Sequence, residues 1–219
     1  MDRMFSDRQA AGKELAQRLT SLAGRTDTVV LGLPRGGLPV ALEIAQDLAA
    51  PLDVVLVRKI GSPMNPELAL GAVSGPDGKL LILNSKTASG LAIAADSIER
   101  LAAPQRAELV RRSKLWGAGA AAKTLRNKVV VLVDDGIATG ATMRAAIAAV
   151  RASAPARIIV ATPVAAPDSL VEIARLVDDV VCLESPAMFV AVGAHYAQFP
   201  QVTDDEVREI LVSARSSAG

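Results

Sequence analysis

"VVLVDDGIATGAT", residues Val130–Thr142, passes from a fully apolar run into two adjacent carboxylates and then a small, hydroxyl-bearing turn. Asp134 and Asp135 repel each other, and neither can follow Val130–Val133 into an apolar core without a partner. Either the acids cap the next helix, or they hold something with donors to offer. The apolar run reads as a strand buried on both faces, and Met143, Ile147 and Val150 set the buried stripe of a helix after it. Strand, turn and helix in that order put the two acids at the carboxyl end of a strand, where ligands of open α/β sheets bind.

The same alternation runs outward in both directions. Leu15, Leu19 and Leu22 share one face of a helix over roughly residues 8–23, ahead of a strand in "TVVLGL" (Thr28–Leu33). Leu38, Ala41, Ile44, Ala45 and Leu48 mark the next helix, and "LDVVLV" (Leu52–Val57) reads as a second strand. Downstream of the opening stretch, "RIIVAT" (Arg157–Thr162) and "DVVCL" (Asp179–Leu183) are strands around a helix marked by Leu170, Ile173, Ala174 and Val177. The pattern predicts an α/β chain with a doubly wound parallel sheet flanked by helices.

Two regions break the alternation. Residues 63–83 centre on Gly-Pro-Asp-Gly, a hairpin or long excursion, and residues 85–123 are helical in character with an interruption at Pro104. The tail from Glu184 carries Phe189, Tyr196 and Phe199, three of the five aromatic residues. With no internal repeat or low-complexity linker, the expectation is one domain over 1–219, with a flexible loop at 58–83, a helical insertion at 85–123 and a C-terminal hood at 184–219.

Composition narrows the function classes. The 24 basic and 23 acidic residues nearly cancel, which argues against broad attraction to nucleic acid or membrane. One cysteine, Cys182, excludes an internal disulfide, and no apolar run approaches the ~20 residues that span a bilayer. A charged, amphipathic N-terminus without an apolar signal core adds to the expectation of a cytoplasmic protein.

The turn itself has a chemistry. Gly140, Ala141 and Thr142 open a helix, where free N–H groups and the positive dipole end attract an anion. Gly140 lets the backbone approach it, and the hydroxyls of Thr139 and Thr142 add donors. The lysine of a nucleotide-triphosphate P-loop is absent. Hydroxyl groups are natural partners for Asp134 and Asp135, so a phosphate joined to a vicinal diol, as in a ribose 5-phosphate, would satisfy both halves. The plain alternative is a capping acid and an ordinary turn.

"VVLVDDGIATGAT" resembles the phosphoribosyl-pyrophosphate (PRPP) signature of type I phosphoribosyltransferases. "GLPRGG" (Gly32–Gly37) is similar to the family's pyrophosphate loop, and "VRKIGSPMNPELALGAV" (Val57–Val73) to its flexible loop. The tail "SPAMFVAVGAHYAQFPQVTDDEV" stands in the place of the hood. A closer likeness, "FSDRQAAGKELA" included, is to phosphoribosyltransferase-like proteins without an assigned substrate. The resemblance implies the type I phosphoribosyltransferase fold, with Asp134 and Asp135 on the ribose hydroxyls and Ala138–Thr142 around the 5-phosphate. It also implies that Arg35, Gly36 and Gly37 face pyrophosphate, with the Pro34–Arg35 bond cis in the PRPP-bound state. The implied activity is transfer of a phosphoribosyl group from PRPP to a nucleobase-like nitrogen, with Mg²⁺ carried by PRPP. The implied partners are PRPP and a small-molecule acceptor, with no nucleic acid and no membrane, in a homodimer.

Further residues carry two readings each. Arg35 stands where a fixed cation could neutralise a leaving pyrophosphate, or is a solvated loop arginine. Lys59 delivers a second charge on loop closure, or Arg58 and Lys59 are plain surface charge. Phe189 and Tyr196 sandwich a planar base, or anchor the tail. His195 reads as an exposed spectator, and Arg111 and Arg112 as facing water. Ala138 replaces the third acid of hypoxanthine- and guanine-using relatives, which argues against those substrates. A non-catalytic PRPP or nucleotide sensor and a generic phosphosugar binder or hydrolase are the competing readings.

Overall fold

The computed structural model describes residues 4–62, 69–75, 77–83, 94–118 and 125–216. Five strands form a parallel sheet: β1 (Thr28–Gly32), β2 (Leu52–Val54), β6 (Val129–Val133), β7 (Arg157–Val164) and β8 (Asp179–Glu184), in the order β2-β1-β6-β7-β8. The central strands β1, β6 and β7 are apolar over most of their length because both of their faces are covered. Val129, Val131 and Val133 join the cluster under helices α1 (Arg8–Arg18) and α2 (Gly37–Leu48). Val130 and Leu132 point the other way, into the cluster that holds Met143 and Ile147 of α4 (Ala141–Arg151) and Ile173 of α5 (Pro167–Ala174). The chain is thus doubly wound, and the ends of β1 and β6 meet in register at Gly32 and Val133.

The stretch 52–57 is not one strand. Its first half, Leu52–Val54, pairs with β1. Val57 begins β3 (Val57–Gly61), which pairs antiparallel with β4 (Ala69–Ser74), and β4 with β5 (Leu80–Leu83), in a separate three-stranded sheet. A continuous apolar run cannot reveal such a break, since Val55 and Leu56 are buried on either account. The Gly-Pro-Asp-Gly excursion is accordingly a hairpin. Of the flexible loop expected at 58–83, residues 63–68 and 76 lie outside the described residues, and most of the rest is regular strand.

Helix α3 (Ala95–Trp116) runs through Pro104 without interruption. Proline costs a hydrogen bond and crowds the preceding turn, but Pro104 sits on the exposed side of the helix. Ile98, Ala102, Leu109 and Trp116 hold both halves of the helix against the core. Arg111 is exposed and pairs with Glu108; Arg112 is half-buried and lies over the Trp116 ring, not simply in water.

The C-terminal segment folds back over the site end of the sheet. A 3-10 turn at Val192–His195 leads to helix α6 (Asp204–Ser216), whose Val207 and Leu211 are fully buried among Leu38, Val54 and Trp116. Its start is a reciprocal cap: Glu206 N–H donates to Thr203 Oγ1, and Thr203 N–H donates to Glu206 Oε2. The N-terminal segment belongs to the same layer. Phe5 bridges Tyr196 in parallel, and the amides of Phe5, Ala197 and Gln198 close the pairing on His195, Phe5 and Ser6 carbonyls. Among the described residues no helix is long and apolar enough to cross a membrane.

Candidate functional site

Two loops rise from the neighbouring ends of β1 and β6. The first, Leu33–Gly37, has a cis peptide bond between Pro34 and Arg35, the geometry that the resemblance implies. Leu33 N–H donates to the Val133 carbonyl, and Gly37 N–H to the Leu33 carbonyl, so the loop turns tightly into α2. The second is the acid-bearing stretch. A Cβ on Gly36 would lie 2.0 Å from Asp135 Oδ2, and one on Gly37 would lie 2.6 Å from the Val133 carbonyl oxygen. The two glycines are therefore what lets the loops touch, and they set Asp134 and Asp135 against the Arg35 side of the cleft.

Burial and the neighbouring Asp135 charge hold the Asp134 carboxyl well above the usual carboxylate range. Its Oδ1 accepts a hydrogen bond from the Asp135 N–H at 3.0 Å. Asp135 itself is clamped from two sides. Arg8 Nε donates to its Oδ2 at 2.7 Å, and the Tyr196 hydroxyl donates to its main-chain carbonyl at 2.6 Å. Sequence reasoning misses Arg8. It opens a helix 127 positions away, and nothing local to the acids points to it.

The turn after the acids is held from behind. Ile137 N–H donates to the Val164 carbonyl, Ser169 Oγ donates to the Ala138 carbonyl at 2.6 Å, and Arg144 Nη1 donates to the Thr139 carbonyl at 3.0 Å. Arg144 is itself paired with Glu172. Gly140 is left-handed (φ 68°) and stands at the N-cap of α4, with no side-chain cap. Thr139 and Thr142 are exposed, and Ala141 N–H makes a long 3.4 Å contact to Thr139 Oγ1. The arrangement is a solvent-facing helix start whose carbonyls are tied away by α5 and Arg144, which is chemistry suited to an anion.

The remaining candidates are distributed unevenly. Arg35 reaches the start of α6, its Nη1 3.6 Å from Asp204 Oδ1. Lys59 lies inside β3, opposite Ala72, in regular structure and not in a loose loop. Phe189 is half-buried and stacks on His195 at 5.5 Å between centroids. Tyr196 is buried against Phe5 and Val164, its phenol pushed well up by burial and then by Asp135, which fits the anchoring reading. His195 is buried too, not an exposed spectator, with Nε2 lacking a partner among the described residues. The Phe5 N–H donates to the His195 main-chain carbonyl, a contact no tail residue announces.

Comparison with known proteins agrees with this architecture. A family model for the phosphoribosyl transferase domain matches residues 5–198. Two Mycobacterium tuberculosis proteins provisionally called phosphoribosyl transferases, MT0597 and Rv0571c, are each 46% identical over 209 residues, 95% of this chain. The chain spans 46% of the length of those relatives. The crystal structure of TT1426 from Thermus thermophilus superposes with a TM-score of 0.85 at 44% identity, covering 96% of this chain and 98% of that one. From the two loops, the parallel sheet and these matches together, the chain belongs to the phosphoribosyl transferase domain family.

Proposed function

We propose that this chain transfers a phosphoribosyl group from PRPP to a nitrogen of a small, nucleobase-like acceptor and releases diphosphate. The observation that carries the reading is the contact of Asp135 with Gly36 and of Asp134 with Gly37, which sets two hydroxyl-accepting carboxylates between a diphosphate-sized loop and an anion-binding turn. The ribose 2′- and 3′-hydroxyls donate to Asp134 and Asp135. The 5-phosphate sits on the helix start at Thr139–Thr142, and the diphosphate lies along Arg35–Gly37.

The chemistry follows from that placement. The C1–O bond to diphosphate breaks, its electron pair leaving on the diphosphate oxygen, while the acceptor nitrogen bonds to C1 and sheds its proton to water. The transition state is cation-like at C1, so stabilising the departing anion and excluding water carry the rate. Arg35, and Lys59 in the closed state, neutralise the leaving group. Phe189 flanks the acceptor, and Tyr196 contributes by anchoring Asp135. Among the described residues no cluster of three or more His, Cys, Asp or Glu could hold a metal. Mg²⁺ keeps its waters and favours phosphate oxygens with one or two carboxylates. The two-acid set fits an ion carried in with PRPP, which would supply charge neutralisation on the diphosphate. A homodimer, on the resemblance, and a cytoplasmic setting, on the composition, complete the reading.

The test is a panel of bases and amines screened for PRPP-dependent diphosphate release, alongside calorimetry with PRPP. Release with at least one acceptor is expected, and the Asp134→Asn, Asp135→Asn double variant should lose more than tenfold in PRPP affinity, because neutral amides accept weaker hydrogen bonds. Unchanged affinity in that variant would return the acids to capping residues. PRPP binding without release from any acceptor would favour the sensor reading.

A further inference from the structure

The motif "FSDRQAAGKELA" plays no part in the transfer just described, yet it delivers Arg8 to the acid pair. Arg8 is 8% exposed. Its Nε bonds to Asp135 Oδ2 at 2.7 Å, its Nη1 bonds to the Pro200 carbonyl at 2.7 Å, and its guanidinium lies 3.7 Å over the Phe199 ring. The carboxylate it grips is the one a Cβ on Gly36 would strike. We propose that Arg8 is a positioning residue for the acid pair, fixing the Asp135 carboxylate as an acceptor on the Gly36 side and tying its orientation to the seating of residues 199–200. The proposal rests on the ribose reading of Asp134 and Asp135.

Three physical points separate this from simple packing. First, Arg8 is the opening residue of α1, where the helix dipole disfavours a cation, so helix stability does not explain it. Second, pinning the tail needs only Phe199 and the Pro200 carbonyl. A buried ion pair adds little to stability over an apolar replacement, yet removing one partner strands the other. Third, the Arg8 Nε and Nη1 are spent on two different segments, Asp135 and Pro200, so the place of the carboxylate follows the seating of residues 199–200.

The groups around this centre are few. Asp134 and the Tyr196 hydroxyl face Asp135, and the Arg8 charge is also felt at Glu206. On its far side Arg8 borders a cavity of about 380 Å³ whose wall includes Asp7, Glu206 and Glu209, beside Leu42 and Ile210. Asp7 is engaged as the cap of α1, and Glu206 as the cap of α6. Asp135 is thus the acid to which Arg8 is committed.

The experiment compares wild type with Arg8→Gln and Arg8→Lys. Calorimetry reads PRPP affinity, and hydrogen exchange of the Arg8 Nε–H reads its bond to Asp135. PRPP affinity should fall about tenfold in Arg8→Gln, and Arg8→Lys should restore much of it by returning a cation to Asp135. No loss in Arg8→Gln, or a loss that Arg8→Lys leaves unrelieved, would make Arg8 a packing residue and overturn the proposal. Should Arg8→Gln fail to fold, the wild-type Arg8 Nε–H decides: it should stay protected from exchange when PRPP binds, and its release on binding would overturn the idea. A wild type that takes no PRPP fails the ribose reading itself, while loss of Nε–H protection in Asp135→Asn, which needs no ligand, still decides the part played by Arg8.

Discussion

The Arg8–Asp135 and Arg35–Asp204 pairs both join the loops at the sheet end to other layers of the chain, but they differ in construction. In the first, nitrogen and oxygen are 2.7 Å apart and the side chains are 10% and 13% exposed. In the second they are 3.6 Å apart, with 33% and 35% exposure. A short, enclosed pair with a stacked guanidinium is costly to break, whereas a long, half-exposed pair is screened by water and salt. The acid half of the site is therefore built as a fixed frame. The Arg35 half is only loosely tied to Asp204, and under the proposed transfer it would exchange that acid for an arriving diphosphate.

The strongest way to break this contrast is to remove the close approach that the fixed half depends on. Gly37→Ala would put a Cβ 2.6 Å from the Val133 carbonyl and 3.0 Å from the Asp134 Cα, both backbone atoms that cannot swing aside. We expect a loss of about 3 kcal/mol, the upper end for overpacking, seen as a lower midpoint in thermal unfolding. Next comes Asp135→Asn, which leaves Arg8 facing a neutral amide. A loss of about 1.5–3 kcal/mol is expected in chemical denaturation, together with weakened PRPP binding.

Asp134→Asn sharpens the comparison because its sign is opposite. With its folded-state pKa raised, the native chain binds a proton more readily than the unfolded chain. Stability from this group is therefore present at pH below the ordinary carboxylate value and is lost as pH rises through the raised one. Asp134→Asn should remove that slope and stabilise the unliganded protein at pH 7 by about 1 kcal/mol, while weakening PRPP binding. Denaturation curves between pH 4 and 8 check both halves. The smallest effect belongs to Asp204→Asn: below about 1 kcal/mol in stability, with diphosphate affinity rising by roughly a factor of two as the competitor of Arg35 loses its charge. A stability cost for Asp204→Asn equal to that of Asp135→Asn would erase the distinction between the halves.

How much of this was open to reading varies by residue and follows the range of the forces involved. Strand β6 and its turn were legible because strand, acids and helix start are adjacent in the chain, and β1, β7 and β8 because a buried parallel strand is a continuous apolar run. The helix at Asp204–Ser216 has a local signal of its own, Thr203 with Glu206 three positions on. The division of Leu52–Val57 between two sheets had no such signal, since both destinations bury the same side chains.

By itself, then, the amino-acid sequence determined the α/β layering and the place of the two loops at strand ends, since short-range periodicity and turn chemistry act over a few residues. Only the tertiary structure decided what faces those loops. Arg8 reaches Asp135 from 127 positions away, and Tyr196 reaches its carbonyl from 61. The His195 carbonyl accepts from the Phe5 N–H at the opposite end of the chain. Such contacts are set by which faces remain to be covered once the sheet has formed. A charged side chain in the sequence carries no mark of whether water or a distant carboxylate will be its partner.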